Sequence, residues 1–184
     1  MTAQAIRTLV RSTTAAIPLA ALLACADAPE VDDTAPAPEA AAPAAPAESP
    51  SLVALRQYAA PFASVDAANA AGYTAQITPC WYHGQQGGQG IHIGRQEWID
   101  GNVSELEPEL VMYEPQADGS MQFVGVEYIV PFAAWTAAEP PSALGQSFMR
   151  NEQLELWVLH VWVGEDNPNG MFASWNPNVS CEHA

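Results

Sequence analysis

Three side chains that commonly bind metals lie in apolar strand patterns of this sequence. Glu127 and His160 each fall on the apolar face of a predicted strand, and His92 lies in a third strand. Two histidines and one carboxylate are a ligand set that suits Zn or Fe(II). No His-x-His or His-Glu-x-x-His spacing marks these residues, so their arrangement in space must decide whether they form one metal site.

Each of these residues also has a simpler interpretation. Glu127 is predicted to lie among Leu110, Phe123 and Ile129, where a carboxylate is costly to ionise. It must therefore have a raised pKa, meet a cation or bind a metal. A structural ion pair is the first alternative, and a lone core histidine such as His160 is usually a hydrogen-bonded packing residue. The arginines available for such a pair are Arg56, Arg95 and Arg150.

The remaining motifs are weaker. His83 and His183 lie beside a Gly-Gln loop and at the C-terminus, where we expect solvent exposure. The glycines of Gln85–Gly90 do not fit a phosphate-binding spacing, and this segment is predicted to be a mobile loop. Gly145–Met149 lacks the second glycine of a serine-hydrolase elbow. Glu165–Gly170 departs from a calcium loop at two ligand positions and is predicted to be a turn.

Tryptophan is abundant, with six residues in the chain. Most tryptophans pack in cores, but exposed ones often stack on sugars or partner surfaces. Trp175, in the loop Ala173–Asn178, is the candidate for such a binding surface. The candidate ligand is a protein or a glycan.

The elements that must position these residues are mainly strands. Helices are predicted over Leu52–Ala60 and Val65–Ala71, the second with Ser64 as its N-cap and Gly72 just beyond its end. The predicted fold class is α+β, a mainly antiparallel sheet with one or two short N-terminal helices and one disulfide. The predicted strands are Tyr73–Thr78, Ile91–Gly94, Glu109–Glu114, Met121–Val130 and Leu154–Val163.

A hairpin at Asp118-Gly119 sets the predicted register of Glu127. A two-residue type I′ loop, with both residues at positive φ, places Leu110 opposite Glu127 and Glu114 opposite Phe123. Both faces of the hairpin are then largely apolar, so it must be covered on both sides. The residues predicted to share the face opposite Glu127 are Val111, Tyr113, Val124, Val126 and Tyr128.

Charge and length exclude several classes of function. The chain has 184 residues, 21 acidic against 5 basic, and a net charge of -16 with no lysine. Nucleic acids are therefore unsuitable partners, because phosphate binding depends on Lys and Arg. No apolar run reaches the roughly 20 residues of a membrane-spanning helix.

The N-terminal segment has the layout of a secretion signal. Arg7 and Arg11 precede the short apolar stretch Ala15–Ala24. The sequence Leu22-Leu23-Ala24-Cys25 resembles the lipobox of bacterial lipoproteins. The resemblance implies a lipoprotein signal peptide over residues 1–24 and acylation of Cys25, palmitate being a typical chain. With Ala26 next, it also implies anchoring in the cell envelope, at the outer membrane. An ordinary signal peptide with an incidental cysteine is the alternative.

The rest of the chain divides into a tether and one domain. Residues 25–51 are rich in Ala, Pro and acidic residues and lack aromatic residues, which predicts a disordered tether. Residues 52–184 form the predicted domain. Once Cys25 is lipidated, Cys80 and Cys181 remain as an even pair in an oxidising compartment, and we expect them to form a disulfide.

Several segments of the domain resemble a group of secreted bacterial proteins whose function is uncharacterised. The resemblance implies one folded unit from about Tyr73 to Cys181 and no particular activity. The segments are Gly88–Ile93, Pro108–Pro115, Val124–Pro131, Leu159–Trp162 and Asn167–Cys181.

These observations favour a lipid-anchored envelope protein that displays an acidic, non-catalytic binding domain. The alternative is a small metal-binding protein or metal-dependent enzyme that uses His92, Glu127 and His160. The sequence assigns no catalytic residue.

Overall fold

The computed structural model describes residues 48–184. The predicted signal peptide, Cys25 and the tether as far as Ala47 lie outside the described residues and stay predictions. No helix between residues 48 and 184 has the length and apolar character needed to cross a membrane.

Two short helices open the domain. Helix α1 spans Pro50–Ala59, and the Ser49 hydroxyl accepts a hydrogen bond from the Leu52 amide. Proline at the first position suits a helix start, since its missing N–H would have no partner there. Helix α2 spans Val65–Ala70 and has the predicted N-cap at Ser64.

The fold class is confirmed: the domain is built on an antiparallel sheet of six strands in the order β1-β2-β3-β4-β8-β7. A separate two-stranded ribbon pairs β5 with β6. Between β4 and β8 the chain forms this ribbon and β7, so β8 returns to pair with β4. The strands are Ala75–His83 (β1), Gly87–Gly94 (β2), Leu110–Pro115 (β3), Met121–Pro131 (β4), Ser142–Ala143 (β5), Gln146–Ser147 (β6), Met149–Asn151 (β7) and Leu156–Val161 (β8).

The hairpin between β3 and β4 differs from the prediction near its turn. Only Gly119 has a positive φ, of 82°, and the Gln116 amide donates to the Ser120 carbonyl, which makes a three-residue loop. The predicted pairing of Glu114 with Phe123 is therefore wrong. A bulge farther along β4 then shifts the register by one residue, so Leu110 does lie opposite Glu127.

One sheet face packs against the helices and holds most of the core. We call it the helix-covered face. It was predicted to include Val124, but the bulge places Val124 in a second cluster on the other side with Met112 and Trp162. The core residues of this face include Leu55, Phe62, Tyr73, Val111, Tyr113, Val126, Tyr128 and Leu159.

The disulfide between Cys80 and Cys181 is confirmed and links residues 101 positions apart. It holds the C-terminal segment against β1. The prediction of a mobile loop at Gln85–Gly90 is wrong for Gly87–Gly90, which belong to β2, whereas Gln85 and Gln86 lie in an exposed turn. Gly87 and Gly88 are buried in β2, and a Cβ on Gly87 would clash with the Asn176 carbonyl oxygen. These glycines allow close contact with the C-terminal segment.

Candidate metal centre

Three strands bring His92, Glu127 and His160 together. His92 lies on β2, Glu127 on β4 and His160 on β8, where it is the direct partner of Glu127. All three are buried on the face opposite the helices, which we call the metal face. His92 is two strands away from Glu127, across β3, so only long side chains on one face can meet there.

The distances between these side chains fit a metal site. His92 Nε2 lies 3.3 Å from Glu127 Oε2, and His160 Nε2 lies 3.4 Å from Glu127 Oε1. One ligand atom from each of the three lies within 4.8 Å of the others. Ligands about 2.1 Å from a tetrahedral zinc are about 3.4 Å apart. The group could therefore hold a metal.

The histidine nitrogens that face this carboxylate lack hydrogen-bond partners. Among residues 48–184, the buried side-chain polar atoms without a partner are His92 Nε2 and both ring nitrogens of His160. Buried polar atoms are nearly always paired, because an unpaired one costs about 1–3 kcal/mol. The interpretation of His160 as a hydrogen-bonded core residue is therefore wrong.

The other nitrogen of His92 is held in place. His92 Nδ1 lies 2.7 Å from the hydroxyl of Thr78, which is itself buried on β1. A metal-bound histidine usually makes such a bond through its second nitrogen, and the bond fixes the tautomer and the ring orientation. Here it leaves Nε2 directed toward Glu127.

Aromatic and aliphatic side chains enclose the group. Trp162 stacks on the His160 ring with an interplanar angle of 13° and ring centroids 6.1 Å apart. A cavity of about 30 Å³ lies among the three candidate ligands and their apolar neighbours. It is large enough for a metal ion with a water-sized ligand. Leu110 and Ile129 line it as predicted, whereas Phe123 packs on the helix-covered face.

No arginine of the described domain neutralises Glu127. The three arginines between residues 48 and 184 pair with other carboxylates, so the expected pair of Glu127 with one of these arginines is not formed. The pairs are Arg56–Glu48, Arg95–Glu97 and Arg150–Glu152.

Burial without a cation shifts the pKa values in this group. Desolvation raises the pKa of Glu127 to about 8, and the nearby charge of Glu109 adds to the rise. Desolvation lowers the pKa of His92 to about 4. The pKa of His160 falls to about 3 through burial and the proximity of His92. The group is therefore uncharged at neutral pH without a metal, as a buried site requires.

Glu109 is a second buried carboxylate, and the sequence analysis missed it. It lies just before β3, is 2% exposed, and accepts a hydrogen bond of 2.9 Å from the Ile129 amide. Burial raises its pKa to about 8. Its position after Pro108, at the first residue of a predicted strand, carries no distinctive signal. Thr78 was missed for the same reason, since a threonine in a strand is ordinary.

An open cleft of about 880 Å³ lies next to the candidate centre. Trp175 is half-buried, lines this cleft and packs against His83, with ring centroids 5.6 Å apart and the ring planes tilted by 48°. His83 is exposed as predicted and lies outside the candidate metal group, as does the exposed His183. The Trp175 loop and the metal face therefore meet at one cleft.

Comparison of the chain with models of known protein families, with curated proteins and with solved structures gave no match.

Proposed function

We propose that this protein is a metal-binding protein of the cell envelope, whose centre consists of His92, Glu127 and His160. The ion is a divalent transition metal, Zn or Fe(II), because imidazole and carboxylate ligands suit both. Lipidation of Cys25 would hold the domain at the membrane.

One observation carries this proposal. The Nε2 atoms of His92 and His160 are buried without a hydrogen-bond partner, and they lie 3.3 and 3.4 Å from the Glu127 carboxylate oxygens, distances typical of ligands that share one ion. A packing role would leave these atoms unsatisfied at a cost that the apolar surroundings cannot offset. A metal accepts the lone pairs of both rings and neutralises the carboxylate.

The roles of the side chains follow from their contacts. His92 and Glu127 supply ligands from β2 and β4, and His160 supplies the third from β8. The Thr78 hydroxyl orients the His92 ring. The Trp162 ring lies nearly parallel to the His160 ring and limits its rotation.

The test is metal analysis of the purified protein after chelation and reloading, compared with His160→Ala. We expect one equivalent of Zn²⁺ or Fe²⁺ bound below micromolar free metal, and loss of that metal in the variant. His83→Ala is the matched control, because His83 lies outside the group and should leave the stoichiometry unchanged. Wild-type protein that fails to bind either ion at micromolar concentrations would contradict the proposal.

A second candidate function is a binding domain that needs no metal. The observation that favours it is the cleft itself, with Trp81, Tyr82 and Trp175 on its walls. A protein or glycan ligand that stabilises the chelated protein against heating as strongly as the metal-bound protein would support this alternative.

A further inference from the structure

The cavity of the candidate metal centre lies directly beside the cleft. Five residues contribute to the walls of both spaces, so the two are neighbours separated only by these side chains. His160 is one of them, which places a candidate ligand at the boundary. The five residues are Trp81, Gln89, Asn151, Val158 and His160.

Three protein ligands leave a metal coordinatively incomplete. Zinc takes at least four ligands, and zinc sites with three protein ligands keep the fourth position for water or substrate. Iron bound by two histidines and one carboxylate keeps further open positions. The cavity of about 30 Å³ has room for one additional ligand atom beside the ion.

The cleft is lined by aromatic rings, by uncharged polar groups and by one ion pair, Arg150 with Glu152. Trp81, Tyr82 and Trp175 provide apolar faces, and Tyr82 is 57% exposed. Gln89 and Asn151 provide amide groups. Such a lining suits a ligand with a flat apolar face and little charge.

Charge also selects against anions. The Arg150 guanidinium lies 2.8 Å from Glu152 and 4.1 Å above the centre of the Phe132 ring. Arg150 lines the cleft, and its charge is balanced there by the Glu152 carboxylate, so the pair adds no net positive charge. The surrounding protein is strongly acidic, with a net charge of -16, and repels anions over long distances.

We propose that the cleft is the ligand entrance of the metal centre, and that it admits an uncharged, flat ligand whose nitrogen or oxygen atom binds the open metal position. This inference rests on the proposed metal centre and adds the ligand class. Trp175 and Tyr82 stack on the ligand, and the donor atom reaches the metal past His160.

Cobalt substitution tests this directly, because the visible absorption of bound Co²⁺ reports its coordination. The full chain is loaded with Co²⁺ and titrated with imidazole, 4-phenylimidazole or benzoate. We expect both imidazoles to change the spectrum, 4-phenylimidazole binding roughly 3- to 10-fold more tightly through stacking. Benzoate should leave the spectrum unchanged at concentrations that saturate 4-phenylimidazole.

Two variants assign the extra affinity to the cleft. Trp175→Ala should remove most of the preference for 4-phenylimidazole over imidazole while Co²⁺ stays bound. Tyr82→Ala, at an exposed position, gives the same information if the first variant folds poorly. Trp135→Ala is the control, since this tryptophan lies outside the cleft and should keep the preference.

Each contrary outcome has a distinct meaning. A Co²⁺ spectrum that no probe changes would show a closed centre and overturn the inference, while the metal-binding proposal stands. Equal affinity for the two imidazoles, or tighter binding of benzoate, would overturn the proposed ligand class. Absence of any Co²⁺ absorption in the wild type would overturn the metal centre and this inference together.

Discussion

The two faces of the sheet both bury polar side chains, but they treat them differently. On the helix-covered face, the hydroxyls of Tyr73, Tyr113 and Tyr128 donate to backbone carbonyls at 2.6–2.7 Å. On the metal face, the nitrogens of His92 and His160 that lie near Glu127 have no partner.

Whether a buried polar atom has a hydrogen-bond partner distinguishes a side chain that only packs from one that can bind a ligand. A buried tyrosine with a satisfied hydroxyl contributes apolar area and one hydrogen bond, and it needs nothing further. Buried histidines with unsatisfied nitrogens are unfavourable unless something else pairs with them. The contrast within one sheet is the observation on which the proposed metal centre rests.

The largest expected effect is on the metal face. His160→Ala removes one of three candidate ligands, so the affinity for Zn²⁺ should fall by more than about 100-fold, beyond the usual effect of losing a residue that only orients a ligand. Competition titration with a chromophoric chelator measures this. If the variant bound Zn²⁺ as tightly as the wild type, His160 would be a packing residue, and the two faces would not differ in function.

Thr78→Val should have the next largest effect. The change keeps the shape of the side chain and removes the hydroxyl that orients His92, so metal affinity should fall by about 10- to 100-fold. Thr78→Ser retains a hydroxyl and should recover most of the affinity in the same titration. Equal losses in both variants would point to packing and not to the hydrogen bond.

Glu109→Gln tests how the second buried carboxylate makes the stability of the fold depend on pH. The folded-state pKa of Glu109, about 8, lies above the unfolded value of about 4.5. The folded protein therefore holds this proton more tightly, and the resulting stability is present below about pH 4.5 and lost as pH rises toward 8.

The glutamine keeps an acceptor for the Ile129 amide and does not titrate. The variant should gain stability relative to the wild type by up to about 1.4 kcal/mol per pH unit between pH 4.5 and 8, with no further gain above that range. Thermal unfolding of both proteins in a chelating buffer from pH 4 to 9 measures the difference. A pH-independent difference would contradict it.

Tyr113 lies on the helix-covered face, and Tyr113→Phe should have the smallest of these effects. Loss of its hydrogen bond to the Phe62 carbonyl should lower the free energy of unfolding by about 1 kcal/mol. Metal affinity should not change, because the hydroxyl lies on the opposite side of the sheet. Urea denaturation and the chelator titration together check this; a loss of metal affinity would mean that the two faces are coupled.

Part of the site could be predicted because strand alternation reveals polar residues on apolar faces. Glu127 and His160 interrupt such patterns, and that observation alone selected them. The pairing of Leu110 with Glu127 was correct although the turn type was wrong, because the bulge in β4 compensated for the longer loop. A bulge has no reliable signature in a single sequence.

Other features required contacts between distant segments. Gly87 and Gly88, at the start of β2, were predicted to lie in a loop. Their close contact with the C-terminal segment forms only in the folded chain and cannot be predicted from the local sequence. Thr78 and Glu109 occupy ordinary strand positions in the sequence. Their roles arise only from the neighbours that the sheet gives them.

The sequence by itself determined the strand content, the acidic charge, the cysteine pair and the three candidate ligands, because composition and periodicity are local properties. Only the tertiary structure decided that His92 meets Glu127 across β3 and that none of the arginines between residues 48 and 184 pairs with this carboxylate. It alone placed a cleft beside His160. Distances of 3–5 Å between residues more than 30 positions apart depend on register, sheet curvature and packing, and these are set by the whole chain.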